Sequence, residues 1–177
     1  MGGATGSSNP FTLTGSSESF NGTTWTNTPS LNTPRYGLTG FGIQTAGIAM
    51  LGNSAPNTAI NISAGFAESW NGSTWTTITS SNTGRFYPTG FGTQTSAVIS
   101  GGTTGPSLLS NTELYNGTAW TTNPNGLATA RNGFASGGSS NSAGVVFGGD
   151  IATGHTAATE SWTGPSTTLN YKTLTTS

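Results

Sequence analysis

"ESWNGSTWT", residues 68–76, recurs as "ESFNGTTWT" at residues 18–26 and "ELYNGTAWT" at residues 113–121, and residues 160–164 begin it again as "ESWTG". A phrase written this often at a fixed interval marks a repeat, and the period decides the fold. Glu18, Glu68, Glu113 and Glu160 are 50, 45 and 47 residues apart, and Trp25, Trp75 and Trp120 are 50 and 45 apart. Arg35 and Arg85 follow the preceding glutamate by 17 residues and Arg131 by 18, with "GFG" or "GFA" starting five, five and two residues later. Each unit then carries an apolar run ending in glycine: Gly52, Gly101 with Gly102, and Gly148 with Gly149.

Residues 35–79 read as four strands. The first lies near "RYGLTGFG", the second in "AGIAMLG", the third in "GFAESW" and the fourth in "TWTTI". Asn-Gly suits the positive φ angles of a tight turn, so Asn71 and Gly72 join the last two strands as a hairpin. Strand side chains alternate faces, which puts Glu68 and Trp70 on one side. The same holds for Glu18 with Phe20, Glu113 with Tyr115 and Glu160 with Trp162. Whether Trp75 faces Trp70 or Glu68 depends on a four- or two-residue loop, and the sequence leaves both open. In the second strand Ile48 and Met50 point one way and Ala49 and Leu51 the other, so this strand is expected to be buried on both faces.

Only 5% of the 177 residues are charged, and the formal net charge is −1. Four cations in all give no electrostatic footprint for nucleic acid or an anionic membrane surface. With no cysteine there is no disulfide framework, thiolate metal site or thiol nucleophile. No apolar run approaches the roughly 18 residues of a membrane-spanning helix, and the Gly- and Ser-rich start lacks the basic and apolar regions of a signal peptide. The expectation is a chain that binds no nucleic acid and does not insert into membranes; if it works outside a cell, lysis or another route delivers it.

Four-stranded antiparallel units, apolar on both faces and repeated every 45 to 50 residues, fit blades around a central axis. The pattern resembles the kelch repeat and its galactose-oxidase-like relatives. The matching residues are the glycine pairs Gly101–Gly102 and Gly148–Gly149, the third-strand aromatics Tyr115 and Trp162, the fourth-strand Trp75 and Trp120, and Arg85 and Arg131 opening the next blade. "TGFGTQTSAVISGG" followed by "TELYNGTAWT" looks closer still to kelch-like repeats of marine bacteriophage proteins. The resemblance implies an all-β kelch-like propeller or propeller segment forming one domain over residues 1–177: an incomplete blade at 1–34, blades at 35–79 and 80–124, and a degenerate last blade at 125–177. Departures are the single glycine of "MLGN", and Thr167 and Pro165 where the last repeat would carry Trp and the turn.

Of the nine charged residues, seven (Glu18, Glu68, Glu113, Glu160, Arg35, Arg85, Arg131) sit at repeat positions, and only Asp150 and Lys172 do not. Placement by the repeat points to a structural role, with carboxylates and guanidinia pairing and binding backbone, since buried charges persist only when paired. A cation-binding ring of the repeated carboxylates is the sharper alternative. His155 is the lone histidine, so a multi-histidine metal site within the chain is excluded. Asp150 and His155 could join a serine in a triad on paper, but no serine has the flanks of a nucleophile elbow. The Asn-x-Ser/Thr sequences at Asn21, Asn71 and Asn116 are the hairpin turns themselves, and a fourth stands at Asn61. No catalytic, cofactor-binding or metal residue is assigned.

The segment from the second-strand glycine to the next glutamate spans 16 residues after Gly52 and 12 after Gly101 and Gly148. Variable loops on a constant scaffold tend to carry recognition. Residues 53–60, 103–111 and 150–157 are therefore the candidate surface, with Asn53, Asn57, Thr103, Asn111, Asp150 and His155 as candidate contacts. Met1 aligns with Ser100 and Phe147, so the first blade has only its third and fourth strands. Completion by the rest of a longer polypeptide or by another copy is the expectation. The resemblance implies a non-enzymatic virion component of a bacteriophage (tail, fibre or surface-decorating protein), with other virion proteins and host-surface glycans as partners, located on the particle or outside the cell. A secreted bacterial carbohydrate-binding or adhesion propeller is the alternative, and a hydrolase using Asp150 comes third.

Overall fold

The computed structural model describes residues 1–5, 12–55, 61, 65–164 and 173–174, and among these the regular structure is entirely β. Asn57, Pro165, Thr167 and Lys172 lie outside the described residues. In chain order the strands are β1 (Gly3–Thr5), β2 (Thr12–Thr14), β3 (Ser17–Phe20), β4 (Trp25–Thr28), β5 (Thr39–Ile43), β6 (Ala46–Met50), β7 (Ala67–Trp70), β8 (Trp75–Thr77) and β9 (Thr89–Thr93). They continue with β10 (Ser96–Ser100), β11 (Thr112–Tyr115), β12 (Trp120–Asn123), β13 (Ala135–Ser140), β14 (Ala143–Phe147), β15 (Asp150–Ile151), β16 (Gly154–His155), β17 (Thr159–Trp162) and β18 (Thr173–Leu174). Three four-stranded antiparallel sheets follow the chain: β5-β6-β7-β8, β9-β10-β11-β12 and β13-β14-β17-β18. The pairs β1-β2, β3-β4 and β15-β16 stand as two-stranded sheets.

The second strand of each sheet is the centre of the packing. Ile48, Ala49, Met50 and Leu51 are all buried, as are Ala97, Val98 and Ile99. Alternation divides the latter run between two cores: Ala97 and Ile99 pack with Ile48, Met50, Tyr115 and Trp120, while Val98 packs with Phe91, Leu127, Val146 and Trp162. A strand apolar on both faces is thus covered on both, as a sheet lying between two others requires. The first strands β5, β9 and β13 lie side by side. Backbone bonds tie successive units as well, from Gly3 N to Arg35 O at 2.9 Å, Gly52 N to Arg85 O at 3.0 Å and Gly102 N to Arg131 O at 2.8 Å.

The hairpin left open by the sequence has a four-residue loop. Trp70 pairs with Trp75, and Glu68 pairs with Thr77. The loop is set by Asn71, whose Oδ1 accepts the N–H groups of Ser73 and Thr74 at 2.9 and 2.8 Å. Asn21 and Asn116 do the same in their hairpins. Side-chain capping of this kind is why Asn opens each turn. The aromatic pairs then face each other, with ring centroids 5.1 Å apart for Phe20–Trp25, 5.2 Å for Trp70–Trp75 and 4.7 Å for Tyr115–Trp120.

The last sheet differs from its sequence alignment in two places. Gly137 pairs with Val145 as Phe91 pairs with Val98, so Phe134 of "GFA" stands outside the register that Phe41 and Phe91 occupy. Its fourth strand is Thr173–Leu174, with Glu160 opposite Thr173, later than the position of Thr167. Without the Asn-Gly turn, the connection between the two strands is longer.

Candidate functional site

The repeated charges are used inside the fold. Arg35 pairs with Glu68 at 2.5 Å, Arg85 with Glu113 at 2.6 Å, and Arg131 with Glu160. All six side chains are buried. Each carboxylate also takes backbone N–H groups from the segment entering its unit: Asn32 and Thr33 give to Glu68, Asn82 and Thr83 to Glu113, and Ala128 to Glu160. Each guanidinium in turn donates to carbonyls, those of Thr33 and Ala49, of Gly101 and Asn111, and of Gly148 and Ala158. Burial pulls the Arg85 guanidinium below its ordinary value, and Glu113 opposes that pull. The arginine thus pairs with the glutamate that follows it in the chain, and the pair pins strand to linker. Arg85 and Arg131 also donate Nε–H to the carbonyls of Thr83 and Thr129, whereas Arg35 Nε is buried with no partner among the described residues. Pairing and hydrogen bonding of this kind are what permit buried charges.

Glu18 stands apart from its counterparts: its side chain is exposed, and no ion pair forms to it among the described residues. Trp25 is likewise 66% exposed, whereas Trp120 is buried and Trp75 half-buried. The glutamates therefore do not come together, and no group of three or more His, Asp or Glu close enough to hold a metal occurs among the described residues.

The variable loops start at equivalent points. Asn53, Thr103 and Asp150 form single bridges to Tyr36, Phe86 and Asn132, the residues that follow the three arginines. Two of the candidate contacts face inward. Asn53 is buried, donates Nδ2–H to the Tyr36 hydroxyl at 3.0 Å and accepts the N–H groups of Ala55 and Asn61. Thr103 is buried and donates to Ser107 O at 2.9 Å while accepting from Gly105 N. Both are pins that shape their loops, because a short polar side chain at the loop entrance satisfies the backbone beyond it. Asn111 is exposed, and its carbonyl receives Arg85 and Gly101.

Asp150 and His155 are both exposed, face each other across β15-β16 and bond through Oδ1 and Nδ1 at 2.5 Å. His155 has no serine hydroxyl as a hydrogen-bond partner among the described residues. An exposed pair of this kind contributes little to stability.

An aromatic cluster at the same end was not singled out by the sequence. Tyr36, Phe86 and Tyr87 meet with ring centroids 6.1, 6.1 and 5.0 Å apart. Tyr87 is 41% exposed and sits at φ 53°, in the left-handed region. The residue two places after each arginine is Gly37, Tyr87 or Gly133, and the two glycines have φ 62° and 61°. All three share one backbone shape, and only Tyr87 bears the steric cost of about 1–2 kcal/mol that a Cβ brings there. Its N–H donates to Gly37 O at 2.7 Å and its carbonyl accepts Gly133 N at 3.1 Å, which holds the strained residue between its neighbours. Partial burial, with the Tyr36 phenol adding to it, pushes the Tyr87 hydroxyl above its ordinary value. The signal was legible as "RYG", "RFY" and "RNG": one tyrosine in a column of glycines.

No family model and no curated protein matches the sequence. Among solved structures, the chain is similar to one described as "Structure of YjhT", with a TM-score of 0.64 over 85% of this chain at 13% identity. This chain spans 49% of the length of that one. The likeness is one of fold.

Proposed function

We propose that this chain is a kelch-like propeller segment acting as a non-enzymatic structural and recognition module of a bacteriophage particle, and that the rim around Tyr87 contacts host-surface glycans. The observation that carries the reading is Tyr87 itself. A bulky aromatic kept at a glycine position, half-exposed beside two other rings, is strain retained at a place where recognition would use it. Neutral aromatic faces suit the apolar faces of sugar rings, and exposed Asp150 and His155 offer hydrogen-bonding groups at the matching position of the next unit.

Other observations support the architecture and the particle setting. Adjacent first strands in consecutive sheets are what blades converging on an axis would give. Six of the nine charged side chains are occupied in buried pairs, which leaves a weakly charged, cysteine-free surface suited to a durable exposed assembly.

Mass spectrometry of purified particles tests the setting, and a glycan array with the wild type and Tyr87→Gly tests the rim. The expected result is the chain in particles, with glycan binding lost at least tenfold in Tyr87→Gly while its melting temperature holds or rises. Unchanged binding would overturn the role of the rim. Glycan binding by a chain absent from particles would favour the secreted adhesion reading.

A further inference from the structure

Beyond the rim, the sheet β3-β4 has a side that no other described strand covers. β7, β11 and β17 each lie between two strands, whereas β3 pairs only with β4 among the described residues. At the positions where the other sheets bury Trp70, Tyr115 and Trp162, Phe20 is 44% exposed. A cavity of about 440 Å³ opens there, bounded by Glu18, Phe20, Trp25, Phe41 and Ile43.

The chain's own repeat states what such an edge takes, through three independent contacts. Glu68, Glu113 and Glu160 each receive an arginine that opens their unit's first strand, and Glu18 is the exposed fourth carboxylate of that series. Gln94 donates its amide to Trp70 O on β7 at 2.6 Å and to Gly47 O on β6 at 2.9 Å. Its counterpart Gln44 donates to Phe20 O on β3 at 3.0 Å, leaving its other N–H for a carbonyl of a strand beside β3. Phe41 rests on Gly90, where an added Cβ would meet its ring at 2.9 Å; on the matching Gly40 lies the Met1 methyl, 2.7 Å from such a Cβ.

We infer that the Ser17–Phe20 edge is a docking site for an arginine-bearing β-hairpin with a Gly-Phe-Gly first strand and an apolar second strand. The pattern is that of residues 85–99, "RFYPTGFGTQTSAVI"; the glycines that end such a strand are already supplied by Gly2 and Gly3, whose N–H groups bind Ser16 O and Arg35 O. The second strand adds antiparallel to β3, main chain to main chain. The arginine reaches Glu18, and the phenylalanine replaces the Met1 methyl on Gly40. The hairpin also covers Phe20 and Trp25.

The test titrates the full chain with a synthetic peptide of residues 85–99, followed by calorimetry, tryptophan fluorescence and hydrogen exchange. Expected are saturable one-to-one binding, new protection at residues 17–20, and a blue shift that is lost in Trp25→Phe. Arg85→Ala in the peptide, or Glu18→Gln in the protein, should each weaken binding at least tenfold, the scale of losing one partner of a buried charge pair. The two losses should not multiply. Absence of saturable binding, or equal binding by the Arg85→Ala peptide, would overturn the inference. So would β3 amides already as protected as those of β7 in the free monomer, which would mean that the chain covers its own edge. Protection arising only with self-association would assign the edge to a second copy and equally overturn it.

Discussion

Arg85 and Glu113 are joined at 2.6 Å with neither side chain reaching solvent, and between them they bind backbone at residues 82, 83, 101 and 111. Removing one partner leaves the other charge buried and uncompensated. Arg85→Met or Glu113→Leu should each cost about 3–5 kcal/mol, and the double replacement should cost clearly less than the sum. Urea unfolding of the four proteins measures the coupling. Additive losses would mean that the two side chains act on the backbone independently.

Trp162 is the residue whose weight the structure changes most. Read as part of a degenerate edge, it would contribute less than Trp75 or Trp120. It is in fact buried against Phe91, Leu127 and Val146, and its indole N–H donates to Asn141 O at 2.8 Å. Trp162→Ala should cost about 3–5 kcal/mol, as much as Trp120→Ala, and Trp25→Ala about 0.5 kcal/mol or less. The phenylalanine variants separate packing from hydrogen bonding. Trp120 Nε1 is buried with no partner among the described residues, so Trp120→Phe should be milder than Trp162→Phe by about 1 kcal/mol. Denaturant midpoints that put Trp162→Phe below Trp120→Phe in cost would sink this ordering.

What the sequence made legible were local features: the period, the Asn-Gly hairpins and the two-faced second strand, because alternation and turn chemistry act over a few residues. The Glu68–Trp70 face was legible for the same reason. Which arginine meets which glutamate was not. Arg35 is nearer in sequence to Glu18, yet strand order within a sheet brings it to Glu68. The exposure of Glu18 and Trp25 was hidden by their identity to buried or half-buried counterparts, since burial depends on the neighbouring strand and not on the residue. Asn53 and Thr103 carried loop chemistry without revealing that it points inward. Tyr87 could be seen as an odd residue, but its backbone cost appears only with the φ angle.

The three Asn-Gly turns give a graded test of backbone against space. Gly22, Gly72 and Gly117 have φ of 97°, 94° and 94°, so alanine at each carries a similar conformational penalty of about 1–2 kcal/mol. Their surroundings differ. A Cβ at Gly22 meets nothing within 4 Å and at Gly72 nothing closer than 3.7 Å, but at Gly117 it lies 3.3 Å from Thr95 backbone. Gly117→Ala should therefore be the most destabilising of the three, with Gly22→Ala and Gly72→Ala close together. Equal melting temperatures across the set would leave φ as the sole determinant.

Tyr115 makes stability depend on pH at the alkaline end. Burial pushes its hydroxyl above the ordinary value of 10.0, and the O–H donates to Gly117 O at 3.0 Å. Because the folded value is the higher one, both states are protonated below about pH 10 and the contribution is fully present there. As pH rises further the unfolded chain ionises first and binds fewer protons than the native state, so stability falls until the folded group also titrates. The slope from one such group reaches at most about 1.4 kcal/mol per pH unit. Tyr87 acts with the same sign. Tyr115→Phe should lose about 1 kcal/mol at neutral pH, through the missing hydrogen bond, and then decline less steeply than the wild type above about pH 10. Urea midpoints taken from about pH 8 to pH 12 should therefore converge. Curves that stay parallel throughout would show that the Tyr115 hydroxyl ionises alike in the folded and unfolded chains.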